Sequence, residues 1–202
     1  MIPKSYGGAF CATLLILHGA FPCQAQAQKE APAPTTSVAQ RYFTDVALVN
    51  HDGQQMRFYS DLIRAKVVIV NVFFADCTGV CPPMLKTLEK IQDWLGSRLG
   101  KEVHILSITV DSARDTPPHL KELARKFNAK PGWFFLSGKK ENVAFALKKL
   151  GQHVEAREDH SNILIIGNEP TGLWKKAFGL AKTEDLIKII EGVLSDKGVA
   201  AK

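Results

Sequence analysis

Residues 67–83 read Val67-Val-Ile-Val-Asn-Val-Phe-Phe-Ala-Asp-Cys77-Thr-Gly-Val-Cys81-Pro82-Pro83. The first part is rich in Val and Phe, which is typical of a strand buried on both faces near the centre of a parallel-type sheet. The two prolines after Cys81 indicate the start of a helix, because proline suits the first helical turn. The cysteines are therefore expected between the carboxyl end of a buried strand and a helix, where α/β proteins commonly place their chemistry.

Cysteines in this position could form a disulfide, hold a soft metal ion or attack a substrate. Each of these reactions requires thiolate, and we expect the amino end of the following helix to stabilise it. A disulfide that closes so short a loop would add little stability by the chain-entropy argument, which disfavours a plain structural crosslink. The Cys-x-x-x-Cys pair thus predicts a functional site.

The segments around this stretch alternate between strand and helix patterns. A small hairpin is predicted first, with a turn at His51-Asp-Gly53, and a second hairpin is predicted late in the chain. The predicted strands are 46–49, 56–59, 67–74, 103–110, 133–136, 163–166 and 174–178, and the predicted helices begin at Pro82, Asp115, Glu141 and Thr183. Thr183 is expected to cap the last helix.

This order of elements resembles the thioredoxin superfamily. The predicted fold is α/β, with a central mixed β-sheet flanked by helices and an N-terminal β-hairpin. The cysteine spacing is Cys-x-x-x-Cys and not Cys-x-x-Cys, which changes both the strain of a disulfide and the geometry offered to a metal. The likeness to thioredoxin-type reductases is therefore at the level of fold.

Residues 1–27 have the pattern of a signal peptide. Lys4 precedes an apolar stretch at 9–21, and the segment ends in Ala25-Gln-Ala27, an A-x-A cleavage site. The apolar stretch is shorter than the roughly 20 residues that span a bilayer. We expect export to the periplasm and cleavage of the signal; the alternative is an uncleaved segment that anchors the protein to the inner membrane.

The rest of the chain predicts one domain. Residues 28–40 are polar and rich in Ala and Pro, as in a flexible leader, 41–196 form the thioredoxin-like domain, and 197–202 are a C-terminal tail. After cleavage only Cys77 and Cys81 remain as cysteines, and the formal charge falls from +6 to +5 because Lys4 is lost. The charge forms no long basic run, so nucleic acid is not implied, while proximity to a membrane surface is conceivable. We expect a monomer.

Three groups of residues resemble the Sco/SenC family, over roughly 43–193. They are Val70-Asn-Val-Phe-Phe followed by Cys77-x-x-Val-Cys81-Pro82, then Ile105-Leu-Ser-Ile-Thr-Val-Asp111 with Arg114-Asp-Thr-Pro117, and finally Asp159-His160-Ser161. The resemblance implies a thioredoxin-like protein that binds one copper ion, as Cu(I) or Cu(II), and helps to assemble the copper centre of cytochrome c oxidase. It also implies that Cys77 and Cys81 are the thiolate ligands and His160 the imidazole ligand.

The chemistry of these side chains agrees with the resemblance. Soft thiolates select Cu(I), and an added imidazole can also accommodate Cu(II), although zinc would accept the same residues plus water. Asp159 either orients the imidazole or is a solvated loop charge. The remaining candidates are expected to be structural: His51, His104, His119 and His153 as surface or core residues, Met84 as core, and Asp111 and Asp115 as turn and cap residues.

Two functions from different classes follow. The first is a copper chaperone that delivers copper to, or prepares, the copper-centre subunit of cytochrome c oxidase or another copper carrier. The second is an enzyme, a thiol-disulfide oxidoreductase in which Cys77 attacks, Cys81 resolves and His160 is not needed. A peroxide-linked sensor is less favoured, because Phe74 stands where peroxiredoxins have threonine. A copper buffer without an acceptor remains open.

Overall fold

A mixed sheet of seven strands forms the centre of the computed structural model, which describes residues 37–198. These residues belong to one compact unit, Thr36–Lys202. The strands are β1 (Ala47–Asn50), β2 (Gln55–Arg57), β3 (Val67–Phe73), β4 (Val103–Thr109), β5 (Trp133–Gly138), β6 (Ile163–Asn168) and β7 (Leu173–Phe178). The helices are α1 (Val38–Phe43), α2 (Cys81–Leu95), α3 (Pro117–Lys126), α4 (Lys140–Lys149) and α5 (Thr183–Leu194).

The strand order is β2-β1-β5-β4-β3-β6-β7. β3 pairs in parallel with β4 and antiparallel with β6, β4 pairs in parallel with β5, and the β1–β2 and β6–β7 pairs are antiparallel. This arrangement confirms the predicted mixed sheet with flanking helices and an N-terminal hairpin. Within residues 37–198, no helix is both long and apolar enough to cross a bilayer.

β3 and β4 form the middle of the sheet because they are apolar on both faces. Every residue of both strands is buried, and one apolar core lies on each side. Two hydrogen bonds join polar side chains at the centre: Ser107 Oγ donates to Asn71 Oδ1 at 2.6 Å, and Trp133 Nε1 donates to Ser107 Oγ at 2.9 Å. These hydrogen bonds offset part of the cost of burying polar groups, while Asn71 Nδ2 is buried without a hydrogen-bond partner among residues 37–198.

Two local predictions need correction. The predicted second strand, 56–59, ends early, since the chain turns at Phe58 into a π-helical segment, Phe58–Ile63. Its buried side chains follow helical and not alternating spacing: Phe58, Tyr59, Leu62 and Ile63. Thr183 is the first residue of α5 and does not cap it; the N-cap is Lys182, without a side-chain hydrogen bond.

Parts of the predicted segments at both ends of the chain lie outside the described residues. The predicted signal peptide, residues 28–36 of the leader and residues 199–202 of the tail all fall there. Residues 38–40, the end of the predicted leader, instead form part of α1. Ser37 Oγ caps this helix by accepting from the Gln40 amide at 3.0 Å, and Phe43 is buried. The cap and the buried ring together explain why residues 38–40 are helical and pack with the domain.

α2 carries the second cysteine and packs one face on the sheet. Pro82 and Pro83 lie in its first turn, as expected, and it ends at Gly96, whose positive φ of 54° suits glycine. Met84 is completely buried, which confirms its expected role in the core. Its sulfur packs on Gly179, where an added Cβ would lie only 2.5 Å away. This contact connects the start of α2 to the end of β7.

Candidate metal centre

Three chain segments meet at one edge of the sheet. The loop after β3 carries Cys77, the first residue of α2 is Cys81, and His160 lies just before β6. Because β6 is antiparallel to β3, its amino end lies beside the carboxyl end of β3. The ligand atoms of Cys77, Cys81 and His160 lie within 4.8 Å of one another. Within residues 37–198, this is the one such group of at least three His, Cys, Asp or Glu side chains.

The imidazole of His160 is held in one orientation. Its Nδ1 lies 2.8 Å from the carbonyl oxygen of Arg157, which can only accept, so Nδ1 carries the proton. Nε2 therefore presents a lone pair, and it lies 3.1 Å from Sγ of Cys81. The ring also meets Phe74 edge-on, at 5.2 Å between centroids. The orienting group is thus a backbone carbonyl, and Asp159 is exposed, in line with the alternative of a solvated charge.

The segment before His160 is fastened by Arg157. Its Nη1 donates to Asp111 Oδ2 at 2.6 Å, and its guanidinium lies over the Phe74 ring at 4.7 Å. Arg114 also reaches Asp111, at 3.1 Å. Burial of Asp111 acts to raise its pKa, but the hydrogen bonds from Arg157 and Arg114 outweigh it, and the pKa lies below its usual value. Asp111 is therefore a charged anchor, which goes beyond the turn role expected from the sequence.

The sequence predicted that Asp115 caps a helix, and this is wrong: its buried side chain instead connects two segments. Its Oδ2 accepts from the Ala75 amide at 3.0 Å and from the Thr109 hydroxyl, which connects the cysteine loop to the end of β4. The N-cap of α3 is Thr116. Burial raises the pKa of Asp115, although these hydrogen bonds oppose the change. Nδ1 of His119 lies 3.6 Å from the other oxygen of this carboxylate, so His119 is paired with Asp115.

The two cysteines differ in exposure and acidity. Cys77 is half-buried, while the side chain of Cys81 is buried, and the two thiols are not joined by a disulfide. Burial, together with the hydrogen bond to Cys77, raises the pKa of Cys81 to about 12. The expected stabilisation of thiolate at the amino end of α2 is therefore overridden by desolvation at Cys81. A metal ion or a strong base has to displace that proton.

The donor set fits a soft metal ion. Metal–thiolate bonds are about 2.3 Å long and metal–imidazole bonds about 2.0 Å, so three donor atoms within 4.8 Å of one another are close enough to share one ion after small movements. Sulfur and imidazole together suit Cu(I), Cu(II) or Zn²⁺. His104, which the sequence predicted to be structural, is buried, and its Nδ1 lies 2.9 Å from the Leu62 carbonyl oxygen. It is not part of the group formed by Cys77, Cys81 and His160.

Sequence reasoning missed Arg157 and the crosslinking role of Asp115. Arg157 stands in Arg157-Glu-Asp, which has no pattern of its own, and its partners are remote in sequence. A usable signal existed for Asp115, because it lies between a buried strand and the prolines that start α3. An acid at that position can turn inward as well as cap.

Comparison with known proteins gives a consistent family. A family model described as SCO1/SenC matches residues 34–194. The SCO1 protein homolog of Bacillus subtilis is 29% identical over 118 residues, which is 57% of this chain and 60% of that protein. The aligned region therefore spans about three fifths of that relative's length.

Solved structures share the fold. Yeast Sco1 with copper bound superimposes with a TM-score of 0.60 and 27% identity, covering 74% of this chain and 90% of that one. BsSco has a TM-score of 0.61 and 25% identity, covering 75% of this chain and 92% of that one. BsSco is described as a member of the Sco family of cytochrome c oxidase assembly proteins, in which a disulfide switch was identified.

Proposed function

This chain belongs to the SCO1/SenC family, and on that premise we propose that it binds one copper ion through Cys77, Cys81 and His160 and delivers it to, or prepares, the copper centre of cytochrome c oxidase. The observation that carries the proposal is the convergence of two thiols and one imidazole within 4.8 Å. The copper held by yeast Sco1 supports the choice of metal. The oxidase role of the BsSco family supports the choice of partner.

Copper is the cargo in this proposal, and the site suits both holding and releasing it. The two sulfurs favour Cu(I), and the lone pair on His160 Nε2 adds the ligand that accommodates Cu(II). Cys77 is the more exposed sulfur, so an acceptor ligand would replace it first. Cys81 is buried and would leave last. Transfer by such stepwise exchange never leaves the ion without protein ligands.

The cellular setting is also part of the proposal. The Ala25-Gln-Ala27 motif supports export to the periplasm with cleavage after residue 27, leaving residues 28–40 as leader before the domain. The acceptor would be the copper-centre subunit of the oxidase or another copper carrier, met by a monomer of this protein. An uncleaved segment that anchors the chain to the inner membrane is the alternative arrangement.

The site is tested by copper titration of the reduced protein, with absorption and electron paramagnetic resonance spectra. Wild type should bind one copper with thiolate charge-transfer bands. His160→Ala should lower Cu(II) affinity at least tenfold and change the paramagnetic spectrum, because the loss of a ligand exceeds the tenfold effect common for outer-shell partners. His153→Ala is the matched control, since His153 lies in the same connection but pairs with Glu155. Equal spectra for both variants would refute the ligand assignment.

Delivery needs a separate measurement. Copper-loaded protein is mixed with the soluble copper domain of cytochrome c oxidase subunit II, and the appearance of the binuclear centre is followed by absorption. Wild type should form the centre, whereas Cys77→Ser and Cys81→Ser should not. A wild-type protein that keeps its copper under these conditions would be a buffer and not a chaperone.

A second function, thiol-disulfide oxidoreductase, is favoured by the difference between the cysteines. Cys77 is accessible to an acceptor disulfide and Cys81 is buried behind it. Attack by the Cys77 thiolate would form a mixed disulfide; Cys81 would then displace the reduced acceptor, leaving a Cys77–Cys81 disulfide for an external dithiol to reduce. His160→Ala should leave this activity intact, so retained disulfide exchange with weak copper binding would favour the second function.

A further inference from the structure

An apolar cavity lies away from the thiol–imidazole group, between α1, the end of α4 and the β6–β7 hairpin. Its volume is about 610 Å³. Phe43, Leu150, Ile165 and Trp174 supply apolar surface, and the Phe43 and Trp174 rings contact each other at 5.2 Å. Concave apolar surface of this size is enough to accept an alkyl chain. None of the functions proposed above uses it.

Val38 and Tyr42 of α1 lie beside this cavity and are partly exposed, although the Tyr42 hydroxyl donates to the Lys149 carbonyl oxygen at 3.0 Å. Val38 is 74% exposed and Tyr42 is 48% exposed, and both line the cavity. They are four residues apart, so they share one face of the helix, while Phe43 packs inward. An aliphatic and an aromatic side chain exposed together on one short helix form more than a scattered surface contact.

The charges at the cavity are all positive. Lys149, Lys175 and Lys176 contribute to its lining, and no acidic residue does among residues 37–198. In the same part of the chain, none of the three ammonium groups has a carboxylate within 4.0 Å. Lys149 Nζ lies 4.5 Å from the centre of the Tyr42 ring, and Lys176 Nζ extends to Gly151, close to the end of α4. The ammonium of Lys175 instead approaches Gly192 of α5.

A nearby carboxylate does not neutralise these cations. Glu169, in the same hairpin, accepts from the Tyr59 hydroxyl at 2.9 Å and from the Ala65 amide at 2.8 Å. Lys149 and Lys176 are therefore left with positive charge at the border of exposed apolar surface. This combination is complementary to an anionic amphiphile, whose chain is apolar and whose head is negative.

We propose that the α1 patch, consisting of Val38, Tyr42, Lys149 and Lys176, binds the surface of an anionic phospholipid bilayer. Val38 and Tyr42 enter the interface, an acyl chain can occupy the cavity, and the two ammonium groups contact lipid phosphates. A bilayer is favoured over a soluble ligand because Val38 and Tyr42, at the rim of the cavity, are 74% and 48% exposed, and because the charged groups beside them are all cationic. Aromatic and aliphatic residues bordered by lysine are typical of such interfaces.

The cavity and the patch extend along the β6–β7 hairpin. Trp174, which lines the cavity, pairs with Gly167 of β6. Ile163, close to His160, pairs with Phe178 at the other end of the hairpin. The four residue steps from Gly167 to Ile163 correspond to about 13 Å along the strand. Lys176 of the patch pairs with Ile165, two residues from Ile163, so the patch reaches along the hairpin toward the end that carries His160.

The test uses the chain from Gln28 onward, so that the apolar signal segment cannot bind lipid, and residues Thr36–Lys202 form their own compact unit. Vesicles of phosphatidylglycerol and of phosphatidylcholine are compared by cosedimentation and by tryptophan fluorescence, to which Trp94, Trp133 and Trp174 contribute. The variant K149E/K176E is compared with K139E/K140E, which makes the same charge change at exposed positions at the start of α4. Val38→Asp probes the apolar part separately.

Wild type should bind phosphatidylglycerol vesicles at least tenfold more tightly than phosphatidylcholine vesicles, and salt should weaken the binding. K149E/K176E and Val38→Asp should each lower the vesicle affinity at least tenfold. The affinity of K139E/K140E should stay within about twofold of the wild-type value. Equal loss in the two double variants would reduce the effect to net charge and overturn the proposal. Failure to bind vesicles would also overturn it, as would binding of monomeric dodecanoate without vesicle binding.

Discussion

The sulfur of Cys81 lies 3.1 Å from Nε2 of His160, although 79 residues separate the two in sequence. Since Nδ1 of the ring is committed to the Arg157 carbonyl, Nε2 is the acceptor and the Cys81 thiol is the donor. The buried thiol thus donates a hydrogen bond to the imidazole. A metal ion that enters between them replaces that proton, so the same two atoms that satisfy each other can become ligands.

The clamp formed by Arg157 should control how firmly His160 is held. Arg157→Ala removes the 2.6 Å contact with Asp111 and the guanidinium over Phe74. We expect Cu(II) affinity to fall about tenfold, as is common when an outer-shell partner is lost. Competition with a chelator of known affinity measures the change. Arg114→Ala is the control, because Arg114 contacts the same carboxylate but is mostly exposed; an equal loss in both variants would contradict the clamp.

The two thiols should react at different rates in the reduced, metal-free protein. Cys77 is half-buried, whereas burial and the hydrogen bond to Cys77 raise the pKa of Cys81 to about 12. Thiolate is the reactive form, so iodoacetamide at pH 8 should modify Cys77 first, by at least tenfold in rate. Mass spectrometry of timed digests gives both rates. Faster labelling of Cys81 would show that its burial is not maintained in solution.

Close packing between β6 and β7 should make Gly167 sensitive to substitution. A Cβ at this position would lie 2.2 Å from the Trp174 ring, whereas a Cβ at Gly79, in the cysteine loop, meets nothing within 4 Å. We expect Gly167→Ala to lower the free energy of unfolding by about 1–3 kcal/mol, the usual cost of overpacking. Gly79→Ala should change it by less than about 0.5 kcal/mol. Urea denaturation compares them, and equal stabilities would be inconsistent with the packing.

His104 should make the fold sensitive to mild acid. Burial lowers the pKa of this ring below 6.5, although its hydrogen bond to the Leu62 carbonyl opposes the change. In the unfolded chain the ring binds a proton more readily, so its contribution to stability is present above pH 6.5 and is lost as the pH falls through 6.5 toward the lower folded pKa.

Unfolding measured between pH 7.5 and 5 checks this expectation. His104→Gln keeps a donor for the carbonyl but cannot be protonated, so its stability should decrease less over this range than that of wild type. The exposed His153→Gln variant should follow wild type. If His104→Gln and wild type lose the same free energy of unfolding on acidification, another group is responsible.

The fold could be predicted from the sequence to a large extent because its signals are local. The apolar runs of β3 and β4 and the prolines at α2 mark the central unit directly. The prediction of a strand through residues 58 and 59 was wrong. Two adjacent aromatic residues are compatible with a strand, and only the tertiary contacts that bury both Phe58 and Tyr59 favour the helical segment Phe58–Ile63. Capping of α1 by Ser37 is likewise visible only once the helix is known.

The candidate site could be predicted only in part. Cys77 and Cys81 are neighbours in sequence, so their proximity follows from the loop, but His160 was indicated only through the family resemblance. No pattern connects it to residues 79 positions earlier. Arg157 and Asp115 act through partners on other elements, Asp111 and Ala75, whose positions depend on the completed sheet. Their roles required the structure.

X-ray absorption at the copper edge, recorded on protein loaded with one equivalent of Cu(I), tests the central claim most directly. The account predicts two sulfur atoms at about 2.3 Å and one nitrogen at about 2.0 Å, distances typical of thiolate and imidazole bonds. In His160→Ala the nitrogen scatterer should disappear while both sulfurs remain. A wild-type spectrum without sulfur, or one unchanged by His160→Ala, would contradict a copper site built from Cys77, Cys81 and His160.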